Sequence, residues 1–238
     1  MPSNTHIADI YRGRRAPSGF TLLEIAVGLL VLGLLVGGVL KGHELITAAR
    51  VRAVIQQQDS VKTAYLGFLD RFRALPGDYA NATTTLTGVS TACGTASSPG
   101  NGNGNARIQS ADGEAILAWE HLSKAGFLAG TYTCSGNNAI NAASVPRNRY
   151  GQHLQLIYDS NYVGNARDGH NLKTGNDVPS DILAEVDRKI DDGNALRGTF
   201  RGSTYTTGSA TDPACWDVTS GVWSSQPGVP NCGAATLF

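Results

Sequence analysis

The sequence lacks a surplus of either charge: 19 Lys and Arg face 19 Asp and Glu in 238 residues, and charged residues make up 16 % of the chain, against about a quarter in an average soluble domain. DNA is therefore a poor partner, because nucleic-acid affinity rests on neutralising phosphates with a basic surface. The signatures of common catalytic sites are also missing. There is no G-x-S-x-G elbow, no H-E-x-x-H pair and no Walker A loop, so the chain is expected not to be an enzyme. The run Gly100-Asn101-Gly102-Asn103-Gly104-Asn105 has the glycines of a phosphate loop but no lysine, and reads as a flexible loop. His43, His121, His153 and His170 are scattered along the chain. No cysteine sits in a CxxC pair or at zinc-finger spacing from a histidine.

What the sequence does contain is an apolar block. Phe20 to Leu40 includes only Thr21, Glu24 and four glycines among aliphatic and aromatic residues; its 21 residues would make roughly 31 Å of helix, one bilayer core. A cleaved secretory signal is disfavoured because Lys41-Gly42-His43-Glu44-Leu45, rather than an A-x-A arrangement, follows the block. A helix buried in a soluble domain would carry Gly28, Gly33, Gly37 and Gly38 in its interior, at about 1 kcal/mol each relative to Ala. A retained membrane span tolerates them, and Gly33/Gly37 and Gly38/Gly42 are spaced for close helix approach.

Glu24 is the misfit, since a charge near mid-bilayer costs about 2.5–3.5 kcal/mol on insertion scales. A cut between Gly19 and Phe20 would create an α-amine one turn from that carboxylate. Within one chain the two would pair poorly, whereas between staggered chains they would attract by about 4 kcal/mol at about 4 Å and an effective dielectric near 20.

Ser18-Gly19-Phe20-Thr21-Leu22-Leu23-Glu24, after a leader carrying Arg12, Arg14 and Arg15 and before an aliphatic stretch, resembles the prepilin cleavage and methylation motif of type IV pilins and type II secretion pseudopilins. The resemblance implies a leader over residues 1–19, cut after Gly19 by a prepilin peptidase, and N-methylation of Phe20. It implies that Glu24 pairs with a neighbouring subunit's N-terminus. It further implies a single-pass protein of the bacterial inner membrane with a periplasmic head. Its partners would be other pilin or pseudopilin subunits and an inner-membrane assembly platform, and its fate a type IV pilus or a related filament. The alternatives are a type II secretion pseudopilin or minor tip or priming subunit, and a membrane-anchored periplasmic binding module that never polymerises. The family often has a proline where Lys41 stands, and charge counting on the two sides of the span leaves topology open.

Beyond the span, Val51, Val54, Gln58, Val61, Tyr65, Phe68, Phe72 and Leu75 recur at steps of three and four, the mark of one buried helical stripe. Arg52, Gln56, Asp59, Lys62 and Arg73 fall on the other face. The pattern predicts one helix from Phe20 to about Ala74, with 20–40 as membrane or filament-core segment and 41–75 as its amphipathic continuation, ended by Leu75-Pro76-Gly77-Asp78. The expected fold is α+β: a pilin-like lollipop whose long helix packs on a small antiparallel-sheet head over 76–238.

Within the head, Asn81–Ser110 reads as a long loop, and Asp112–Ala125 as a short helix burying Ile116, Trp119 and Leu122. Gln152–Tyr158, Phe127–Cys134 and Leu196–Thr206 are strand candidates. Pro179–Ile190 is a second short helix, with Ser180 as its cap and Ile182, Val186 and Ile190 on one face.

Cys93, Cys134, Cys215 and Cys232 all lie beyond the span, and an even count in a Gly- and Asn-rich region reads as two disulfides in an oxidising compartment. Three pairings are open. Cys93 with Cys134 and Cys215 with Cys232 is favoured, because the second bond would pin the C-terminal tail; the resemblance agrees, since many pilins tie down a C-terminal loop this way. No cofactor is expected. Calcium is the one metal with candidate ligands, in Asp168-Gly169-His170-Asn171, Asp191-Asp192-Gly193-Asn194 and the Asn-Gly run, although these stretches read equally well as turns.

Overall fold

The structure, a computed structural model, describes residues 19–136 and 138–238. Arg12, Arg14, Arg15 and Ser18 of the leader lie outside the described residues. A single helix, α1, runs from Leu22 to Phe72. The chain divides into two compact units, one ending at Leu45 and the other comprising Ile46–Phe238.

In the first unit, α1 is a run of Leu, Val, Ala and Ile with no internal proline. It is long and apolar enough to cross a membrane, and its most apolar window buries nothing inside the chain. Gly28, Gly33, Gly37 and Gly38 face open space, with no atom within 4 Å of where a Cβ would stand. Nothing among the described residues requires glycine there.

In the second unit, α1 buries Val51, Val54, Gln58, Val61, Ala64, Tyr65 and Phe68. It ends at Phe72 because Pro76 and Gly77 follow within a turn. Gly77 has φ +88°, and a Cβ there would lie 2.3 Å from the Glu114 carbonyl oxygen, so only glycine fits this reversal. The short helices α2 (Ala82–Thr85), α3 (Glu114–Lys124) and α4 (Ser180–Ile190) follow. β1 (Gly94–Thr95) pairs with β2 (Ser98–Pro99). The main sheet contains β3 (Gln155–Asp159), β4 (Gly169–Lys173), β5 (Phe200–Gly202) and β6 (Ala234–Leu237). Its order is β3-β4-β6-β5, and every pair is antiparallel.

One helical stripe serves two core clusters. Val61, Tyr65 and Phe68 pack with α3 (Ile116, Leu117, Trp119, Leu122) and with Leu154, Leu156 and Leu172. Val51 and Val54 pack with Ile182, Leu183 and Val186 of α4, with Phe200, Trp216 and Trp223, and with Cys215 and Cys232. Gln58, the single polar residue of the stripe, is buried and accepts a 2.9 Å hydrogen bond from Thr236 Oγ1 of β6.

The architecture is thus a long apolar helix with a small antiparallel-sheet head and short helices, and the details differ from the sequence reading in several places. Asn81–Ser110 is not one plain loop, since it carries α2, β1 and β2. Phe127–Cys134 forms turns and irregular chain rather than a strand. Only Phe200–Gly202 of the Leu196–Thr206 candidate is strand. Asp168-Gly169-His170-Asn171 is not a turn: Gly169 opens β4, which pairs on both sides. Ser180 is the first residue of α4 rather than its cap. Its hydroxyl donates to the Ser224 carbonyl and accepts from Val229 N. Ile190 is 40 % exposed, so only Ile182 and Val186 of the expected trio are buried.

Candidate functional site

Two places gather the polar residues of interest, the start of α1 and a set of buried acids in the head. At the first, Phe20 is 81 % exposed and Thr21 immediately precedes α1. Thr21 N and Thr21 Oγ1 donate to Glu24 Oε2 at 3.2 and 3.1 Å, and Glu24 N donates to Thr21 Oγ1 at 3.2 Å. This is a capping box, the reciprocal closure of a helix N-terminus by a T-x-x-E sequence. Glu24 therefore has a partner inside its own chain, and its carboxylate sits at the positive end of the helix dipole. The pattern was legible in Thr21-Leu22-Leu23-Glu24; weighing Glu24 only as a charge to be buried hides it. Downstream, Lys41 and Glu44 pair on the helix surface at 2.6 Å.

In the head, buried titratable groups hold the Asn-Gly segment in place. Asp78 Oδ1 accepts from Asn105 N at 3.0 Å and Oδ2 from Ala106 N at 2.8 Å. Glu114, fully buried, accepts from Asn103 N and Gln109 N, both at 2.9 Å. Gly102 lies so close to Asp78 that a Cβ would stand 2.2 Å from its backbone, which accounts for glycine at that position. His121 is also fully buried. Gly77 N donates to its Nδ1 at 3.0 Å, and its Nε2 lies 3.2 Å from the Gly100 carbonyl. Accepting at Nδ1 while donating from Nε2 is the behaviour of a neutral imidazole. Burial pushes its pKa down to about 4, with the Gly100 bond acting the other way. Burial pushes the Glu114 carboxyl up to about 7 against its two amide bonds, and Asp78 and Asp112 add to the rise.

The cysteines join the same framework. Cys93 bonds to Cys134 and Cys215 to Cys232, with Cα separations of 5.9 and 5.7 Å. Glu120, fully buried, accepts from Ser90 N at 2.8 Å and Cys134 N at 2.9 Å, doubling the first disulfide's link between the two segments. The second fixes the tail beside Val178, whose backbone exchanges two hydrogen bonds with Cys232. Two disulfides indicate an oxidising compartment.

Of the calcium stretches, Asp191 and Asp192 bring their carboxylates within 4.8 Å of Asp187. Each of these carboxylates already binds protein groups. Asp187 accepts from Trp223 Nε1 at 2.7 Å and Gly193 N at 3.1 Å, Asp191 from Thr199 N and Phe200 N, and Asp192 from Asn194 N. Burial pushes the Asp187 carboxyl up to about 6. A donor set so engaged fits a turn closed on itself. Lys173 is buried in an ion pair with Asp159; burial lowers its pKa and the carboxylate opposes that.

The arrangement holds loops and tail to a sheet, and it leaves one apolar helical surface uncovered. No family model, curated protein or solved structure matches the chain.

Proposed function

We propose that the chain is a pilin-like structural subunit. It is made as a precursor, cut after Gly19 by a prepilin peptidase and N-methylated at Phe20. Residues 20–40 hold it in the inner membrane with the head in the periplasm, until an assembly platform draws it into a type IV pilus or a related filament such as a secretion pseudopilus.

The observation that carries this reading is the first part of α1. From Phe20 to Leu40 every side chain is exposed, and Glu24 is the only charge. Removing each Leu, Ile or Val of that surface from water is worth about 1.5–3 kcal/mol. A bilayer provides this before assembly, and a bundle of like helices provides it afterwards. The capping box presents the Glu24 carboxylate at the helix start, where a neighbour's Phe20 amine would meet it and set axial register.

The mature N-terminus and one conservative substitution test the proposal. Mass spectrometry should find methylated Phe20 as the first residue, whereas a chain that still begins at Met1 supports the anchored binding module instead. Glu24→Gln keeps a capping-box side chain and removes the charge, so the variant should be processed and inserted normally but be nearly absent from sheared filaments. Wild-type incorporation of Glu24→Gln would reduce Glu24 to a helix cap.

A further inference from the structure

A partly enclosed cavity of about 100 Å³ lies between α3, the start of β3 and the segment carrying Tyr205. Three of its lining residues each carry a buried polar atom with no hydrogen-bond partner among the described residues: Trp119 Nε1, Gln155 Oε1 and Tyr205 Oη. Six other buried polar atoms among the described residues also lack a partner (Gln58 Nε2, Tyr150 Oη, His170 Nε2, Asn171 Oδ1, Asn176 Oδ1 and Thr211 Oγ1), whereas here three such atoms line one void. Their chemistry is complementary rather than alike. The indole N–H only donates, the amide oxygen only accepts, and the phenol does either.

Ser110 and Asn138 add two further polar residues, the rest of the wall is apolar, from Ala115, Ile116, Ile140, Val145 and Leu154, and no charged side chain among the described residues lines the space. One water could serve the polar end, but the volume exceeds one water. Waters beside Ile116, Val145 and Leu154 would find no bond there. A cavity of about 150 Å³ is known to take benzene, so this one suits about four or five non-hydrogen atoms.

We infer that this cavity is a binding site for a small neutral amphiphile. Its carbonyl or hydroxyl oxygen accepts from Trp119, its N–H or O–H donates to Gln155, and its short alkyl part lies against Ile116, Val145 and Leu154. Tyr205 closes the polar end, where its ring also lies 5.7 Å from Lys173 Nζ. A charged ligand is disfavoured, since no lining group of opposite sign would repay its desolvation.

The probe is propionamide, and its charged isostere propionate is the control. Full-length ¹⁵N-labelled protein in detergent micelles gives separate indole N–H resonances for Trp119, Trp216 and Trp223, and Trp119→Phe identifies the first. Propionamide should shift the Trp119 resonance saturably, with a dissociation constant on the order of 1 mM. Trp223, bonded to Asp187, should stay still, and propionate should have no effect. Ala115→Leu, which fills the cavity, should abolish the response. Tyr205→Phe, which keeps the volume, should weaken binding by about three- to tenfold. A Trp119 resonance that propionamide leaves unmoved, or that shows only magnetisation transfer from water, means a hydrated void and overturns the inference. Equal shifts from propionate, or a response that survives in both variants, overturn it as well.

Discussion

Replacing Glu114 by glutamine separates two opposite accounts of the buried acid beneath the Asn-Gly segment. The side chain is fully buried and accepts two backbone N–H bonds. Those bonds favour the carboxylate, while burial and the neighbouring acids favour the protonated form. Burial prevails, with a pKa of about 7 against an ordinary 4.5. A folded-state pKa above the unfolded one means that the native chain keeps a proton the unfolded chain has released. The stability associated with this group is fully present below pH 4.5 and is lost as pH rises through about 7. The shift of about 2.5 units corresponds to about 3 kcal/mol. Glutamine keeps the size and one acceptor but presents an NH2 group, which cannot accept, to the second backbone N–H, so at pH 4 the variant should be the less stable by about 1–3 kcal/mol. By pH 8 the difference between the two should have moved by about 3 kcal/mol in favour of Glu114→Gln. Urea unfolding of the detergent-solubilised chain, followed by tryptophan fluorescence from pH 4 to 8, reads the difference directly, and contributions from other groups such as His121 and Asp187 cancel in it. Parallel curves, or a variant that loses ground as pH rises, would refute the reasoning, because the second result is what an ionised carboxylate held by two amides produces.

Three further substitutions probe the same framework. Cys215→Ser with Cys232→Ser opens a link between residues 17 apart and should cost about 3 kcal/mol in the same assay; a loss below about 1 kcal/mol would mean that β6 alone holds the tail. Asp78→Ala removes the acceptors of Asn105 N and Ala106 N, at about 1–3 kcal/mol for each buried donor left unpaired. Limited proteolysis should then cut within residues 101–107 under native conditions, and continued resistance would assign the restraint to Glu114. Phe68→Ala empties a fully buried site whose ring lies 4.5 Å from that of Phe72 and 6.0 Å from that of Tyr79. A loss of about 3–5 kcal/mol is expected, and a chain that unfolds at the wild-type urea midpoint would remove Phe68 from the centre of the core.

The helices were legible because their signals are local and periodic. The stripe from Val51 to Phe68, the apolar side of α3 and the Ile182/Val186 pair of α4 can each be read within a few turns of sequence. Among the strands, β3 was legible in the alternation of Gln152–Tyr158, and β4 and β6 were not. Gly169-His170-Asn171-Leu172-Lys173 has the composition of a turn, and becomes β4 only because Leu156 and Thr236 stand opposite Leu172. β5 and β6 are three and four residues long, too short to show alternation, and strand formation here follows tertiary packing more than propensity. The role of the buried acids is hidden in the sequence for a related reason. Asp78 and Glu114 stand far apart in sequence and meet only across the segment they both hold. A usable signal was present for Glu114 alone, since an acid shortly after a run of Asn and Gly is a natural acceptor for its unpaired amides.

The position of β6 has a bearing on how the molecule is made. This strand follows every other strand in sequence, yet it lies between β4 and β5 and its Thr236 hydroxyl reaches Gln58 of the helix. Such long-range pairing is slow to form because distant segments must first be brought together. A chain emerging N-terminus first therefore exposes α1, β4 and β5 before the strand that unites them has arrived. Val51, Val54 and Phe200 wait without their full cover, and the vulnerable interval for proteases and chaperones ends only when residues 234–237 slot into the gap.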